Sequence, residues 1–193
     1  MTTKRVLVWP AELPPGLTGL YEAVAALHDA AVVEPLHDLC DAAARIEAGP
    51  GDATVLVAVP DAAVGAHRTA GEVGEQVMGL GAVEGLASVL VVGDGWLGTD
   101  ADDLGGALVG SAAVTTARSI AVRRGGTSRA NVVAVPQALF GVATSQRGPL
   151  RQPTELADIA NAAGLLLSDA GGYLSGQVLF VDGGRHLFSS LTA

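Results

Sequence analysis

Four aspartates fall close together at Asp94, Asp100, Asp102 and Asp103. Clustered carboxylates can hold a cation or share a proton. Their placement, in a loop that runs into a helix start, suits an N-cap and first-turn acids that complement the helix dipole instead. Glu34 stands near the end of a short apolar run, where an acid can hydrogen-bond a ribose, but without a glycine loop it reads as an ordinary loop residue. Ser111, Thr115 and Thr116 have no base nearby in sequence to activate a hydroxyl. His28, His37, His67 and His186 are scattered, and no metal site is expected from that spacing. The lone Cys40 excludes an intrachain disulfide and fits a reducing cytoplasm. Trp96, in the run Gly93-Asp94-Gly95-Trp96, reads either as a core or pocket-filling side chain or as one facing a partner. Arg123, Arg124 and Arg129 read as a solvated helix end, and Tyr173 as packing the turn before the last strand.

The elements that must position these residues alternate between two patterns. Short apolar runs at 5–9, 31–36, 53–59, 88–92, 130–135 and 177–181 predict strands, several of them continuous enough to be buried on both faces. Between them, helical spacing predicts helices over 16–30, 38–48, 61–86, 102–124 and 154–168, with Thr154 as the cap of the last. Gly141 to Gln152 reads as a loop. This alternation predicts one α/β domain over 1–193: a doubly wound, mostly parallel sheet of about six strands with helices on both faces. The hydrophobic fraction is 49% but aromatics are only 4%, so the core must be built from Ala, Val and Leu. A net charge of −9 argues against nucleic acid, which needs clustered cations. No apolar run reaches membrane-spanning length. The first twelve residues lack the layout of a signal peptide, so a cytoplasmic protein is expected.

Two blocks of sequence resemble the short-chain dehydrogenase/reductase family. One is Gly110 to Pro136, with Ser119-Ile120-Ala121-Val122-Arg123 and Asn131-Val132-Val133-Ala134-Val135-Pro136. The other is the closing segment, with Ile159-Ala160-Asn161, Leu167-Ser168-Asp169, Tyr173-Leu174-Ser175-Gly176-Gln177 and Val181-Asp182-Gly183-Gly184. The resemblance implies a Rossmann-type fold of order 3-2-1-4-5-6-7, here trimmed by the edge strand 3. It also implies where the family's reactive residues fall: the serine on Gly93 or Asp94, the tyrosine on Gly106 and its lysine on Gly110. The only lysine in the chain is Lys4, and neither Tyr21 nor Tyr173 is followed by one four residues on. Glycine offers no group to manage the proton that accompanies hydride transfer. Where the family carries TGxxxGIG after the first strand, this chain has Trp9-Pro10-Ala11-Glu12-Leu13-Pro14-Pro15-Gly16. Each proline removes an N–H donor that a diphosphate would use.

These substitutions lead to an expectation of no catalytic, cofactor-binding or metal residues, and of no bound cofactor. The expected role is a non-catalytic subunit that assembles as a hetero-oligomer with an intact short-chain dehydrogenase, or as a homodimer. In the family, helices equivalent to 61–86 and 102–124 pack across a two-fold axis, and the closing segment makes a second interface. Gly105, Gly106, Ala107, Gly110, Ala112, Ala113 and Ala117 would allow close helix approach. The alternatives are a divergent NAD(P)-dependent oxidoreductase, and a module that binds a small ligand or acyl thioester in an emptied cleft.

Overall fold

The structure is a computed structural model that describes residues 5–9, 13–28, 32–35, 53–58, 85–97, 104–142 and 148–189. Six strands form one sheet: β1 (Arg5–Trp9), β2 (Val32–Pro35), β3 (Ala53–Ala58), β4 (Ala87–Gly93), β5 (Arg129–Val135) and β6 (Val178–Phe180). Their order is β2-β1-β3-β4-β5-β6, and every pairing is parallel. Among the described residues this is the Rossmann-type parallel order expected from the sequence. β4 pairs with β5 along its whole length, from Ala87 opposite Arg129 to Gly93 opposite Val135. All seven residues of β4 are buried, as both faces of a parallel sheet must be when helices cover them.

Helix α1 (Leu20–Leu27) follows a 3-10 turn at Pro15–Leu17. It buries Leu20, Tyr21, Val24 and Ala25 and packs on helix α3 (Leu156–Leu167). Helix α2 (Leu104–Arg124) buries Gly106, Val109, Gly110, Ala113, Thr116, Ala117 and Ile120, a stripe at spacings of three and four. A short helix, α4 (His186–Ser189), ends the described chain.

Several expected roles change in three dimensions. The N-cap of α3 is Glu155, not Thr154. Asp158, three residues on, accepts from the Glu155 amide at 2.9 Å, the reciprocal bond of a capping box. Thr154 instead donates its hydroxyl to the Val181 carbonyl, which fastens the helix start to the end of β6. Arg129 is not part of a solvated helix end. Its guanidinium donates to the carbonyls of Leu166, Leu167 and Ser168 at 3.4, 3.0 and 2.7 Å. A cation suits the last carbonyls of a helix, so Arg129 ties the start of β5 to the end of α3. Arg123 and Arg124 are exposed as expected. Tyr173 does not pack its turn but is fully exposed. Backbone bonds make that turn, from Gly172 N–H to the Asp169 carbonyl and from Leu174 N–H to the Gly171 carbonyl, each 2.9 Å. Buried Asn131 then clamps the exit, donating to the Leu174 carbonyl at 2.9 Å and accepting from the Gln177 amide at 3.0 Å.

Candidate functional site

In an open parallel sheet, ligands bind beyond the carboxyl ends of the strands, where the order reverses. Here the reversal lies at β1, whose neighbours β2 and β3 are the next two strands in sequence. The loops after β1, β4, β5 and β6 therefore line the candidate site.

At the end of β4, Asp94 begins a 3-10 turn that runs to Leu97. Its carboxylate is buried and accepts from three separate segments. Oδ1 accepts the Gly95 amide at 2.8 Å and the Gln137 amide at 3.0 Å. Oδ2 accepts Nε of Arg185 at 2.7 Å, and Nη2 of Arg185 also donates to Oδ1. The Asp94 side chain is 1% exposed and that of Arg185 13%. Removing a buried carboxylate from water is offset only by such close, multiple partners. Arg185 comes from the turn after β6. There Gly183 and Gly184 take φ of +64° and +85°, a left-handed pair that turns the chain back and that side chains resist. Asp182 fixes this turn, accepting the Gly184 amide at 2.9 Å and the His186 amide at 2.8 Å. His186 places Nδ1 2.9 Å from Asp182 Oδ2 and stacks on Phe180.

Trp96 fills the space beside this carboxylate. It is 1% exposed, and its ring lies 4.7 Å from that of Phe140. It therefore takes the core role, not the partner-facing one. Gly93 and Gly110 make room for it. A Cβ at Gly93 would lie 3.0 Å from the Trp96 ring, and one at Gly110 would lie 2.5 Å from the Trp96 carbonyl oxygen. Gly110 is thus pressed against the backbone of the turn after β4. Gly106 is buried on the same helix face.

The first loop is closed in a similar way. A Cβ at Gly16 would lie 2.5 Å from the carbonyl oxygen of Leu139 and 2.7 Å from its Cα. The glycine is required by the 3-10 turn Gln137–Phe140 after β5. In a dinucleotide loop the last glycine serves close packing, and here Gly16 is packed against the Leu139 peptide group. Pro14 and Pro15 beside it carry no N–H. Among the described residues of this loop, Pro14 and Pro15 therefore offer no N–H to a pyrophosphate.

The remaining candidates do not converge. Of the four aspartates only Asp94 lies among the described residues, so an acidic cluster with Asp100, Asp102 and Asp103 lies outside them. Glu34 sits on β2 opposite Leu7 of β1. Ser111 and Thr115 are exposed on α2, and Thr116 is buried. Among the described residues no group of three or more His, Cys, Asp or Glu could hold a metal ion, and no described helix is long and apolar enough to cross a membrane. Arg185 was not singled out from the sequence. The Asp-Gly-Gly run that aims it was, and such a turn before an arginine is the one local hint of its role.

The sheet order and its covering helices make this a doubly wound α/β fold. More specifically, the fold is that of the short-chain dehydrogenases/reductases, and residues 112–186 match the family described as enoyl-(acyl carrier protein) reductase. The match runs from within α2 to His186 and covers β5, α3, β6 and the glycine turn. A 7α-hydroxysteroid dehydrogenase, solved with NADH and 7-oxo glycochenodeoxycholic acid, superposes with a TM-score of 0.70 at 19% identity, covering 94% of each chain. The enoyl-acyl-carrier-protein reductase of Plasmodium berghei, solved with triclosan, gives 0.67 at 10% identity, covering 96% of this chain and 98% of that one. A short-chain dehydrogenase/reductase family oxidoreductase from Burkholderia thailandensis gives 0.65 at 18% identity, covering 100% and 98%. No curated protein matches the sequence.

Proposed function

We propose that this chain is a non-catalytic short-chain dehydrogenase-like subunit that assembles with a catalytically intact relative. The observation that carries the reading is the filled carboxyl edge of the sheet. Asp94 and Arg185 pair beside the expected serine position, Gly93 or Asp94, Trp96 lies against Gly110, the expected lysine position, and Leu139 lies against Gly16 in the first loop. Glycines replace the proton-managing pair, so the chain has no group there to supply or accept the proton. Assembly draws support from the surface. Leu104, Leu108 and Val122 are 68%, 54% and 85% exposed along α2. The closing segment exposes Tyr173, Leu179 and Leu187. Exposed apolar residues in such groups mark interaction surfaces.

Fluorescence titration with NADH and NADPH tests the catalytic half of this reading. No saturable change is expected, and micromolar binding by the chain alone would sink it. Co-expression with an intact dehydrogenase encoded beside it tests the other half, and a joint complex is expected on size exclusion. A stable homo-oligomer that ignores such a relative counts against hetero-assembly. A second reading, a divergent NAD(P)-dependent oxidoreductase, rests on the match of residues 112–186 to a reductase family and is favoured by nucleotide binding in the same titration. A ligand retained on purification would instead favour the small-ligand or acyl-thioester module.

A further inference from the structure

Asp94 is held the way a bound anion is held. Two backbone N–H groups, from Gly95 and Gln137, and the two-pronged guanidinium of Arg185 surround one carboxylate. A guanidinium and convergent amides form a receptor suited to a planar carboxylate. The three donors come from the ends of β4, β5 and β6, so the receptor exists only when those loops are assembled. We propose that Asp94 is an internal anion in a built carboxylate receptor, and that its engagement by Arg185 is a latch holding segment 182–189 against the sheet edge. The latch does for the closing segment what a bound ligand does at the same edge of other open parallel sheets. It holds whether or not the chain binds nucleotide.

Other contacts define what the latch secures. Leu150 donates to the Gly183 carbonyl at 3.3 Å, Leu187 to that of Gly184 at 3.2 Å and Phe188 to that of Arg185 at 3.0 Å. Each of these bonds lies within the turn or reaches the neighbouring residue Leu150. The Asp94–Arg185 pair is the described side-chain contact that joins the segment to the end of β4, 91 positions away in sequence.

Hydrogen exchange of Asp94→Ala tests the proposal. Its amides at Leu187 and Phe188 are expected to exchange about tenfold faster or more, as local opening becomes easier. Formate in excess should restore protection by entering the vacated receptor, whereas chloride at equal ionic strength should not. Arg185→Ala should show the same loss without rescue by formate, because the receptor's cation is gone. Unchanged protection in both variants overturns the latch, as does equal rescue by chloride. The wild-type chain gives a check that needs no variant to fold. The Gln137 amide, which donates into Asp94, should open at the same rate as those of Leu187 and Phe188. Clearly different rates overturn a single latched unit. Nucleotide titration of the wild-type chain has no bearing on these outcomes, so the latch and the non-catalytic reading fail separately.

Discussion

Gly110 and Trp96 define each other. The carbonyl of Trp96 sits where any side chain at position 110 would begin. Gly110→Ala is therefore expected to destabilise the chain by about 1–3 kcal/mol through overpacking, read as a lower midpoint in urea. For the same reason Gly110→Lys, even combined with Gly106→Tyr, is expected to restore no reductase activity. Trp96 carries a second peculiarity: its indole N–H is buried with no hydrogen-bond partner among the described residues. An unmade buried bond costs about 1–3 kcal/mol, so Trp96→Phe recovers part of what its smaller ring loses. It should fall well short of Trp96→Ala, for which a cavity cost of about 3–5 kcal/mol is expected. Comparing the two denaturation midpoints checks this; equal losses would show that packing alone decides.

At the scale of elements, the contacts that matter join one element's end to another's. Arg129 spans from β5 to the last carbonyls of α3. Arg129→Met keeps the stem but leaves those carbonyls without their cation. A loss of about 1.5–3 kcal/mol is expected, the worth of hydrogen bonds to a charged group, together with faster exchange at the C-terminal end of α3. This is also the scale at which the sequence was most and least legible. Runs such as Ser88–Val92 and Ala130–Val135 are continuous and apolar because both faces are covered, and that alone marks buried parallel strands. The helical spacing over 104–124 is equally local. Thr154, Arg129 and Tyr173 were misread because each role depends on a partner far along the chain or on backbone geometry. Thr154 reaches Val181 while Glu155 takes the cap, Arg129 reaches α3, and glycine-mediated backbone bonds make the turn at Tyr173 redundant. Asp94 was legible as a carboxylate at a strand end, but for Arg185 the Asp-Gly-Gly run before it was the one local hint.

For the whole molecule, the net charge of −9 means that acidic residues outside the latch repel one another at low ionic strength. Moderate salt should therefore raise the thermal midpoint, since a Debye length of about 10 Å at 0.1 M screens exposed charges. The buried Asp94–Arg185 pair is shielded from that screening, so the rise should persist in the wild-type chain without faster exchange at 187–188. A fall in midpoint on adding salt would point instead to ion pairs as the dominant electrostatic contribution.

The 91 positions between Asp94 and Arg185 also bear on the moment of synthesis. A growing chain emerges from its N-terminal end, and its early parts begin to fold before the rest exists. β4 and the turn that carries Asp94 are made long before Arg185 is. Until Arg185 leaves the ribosome, the aspartate has no such cation to accompany it into the interior. Completion of the sheet edge thereby waits on the synthesis of Arg185. A nascent chain stalled before that residue has its buried-strand sequences but not the cation that closes the end of β4.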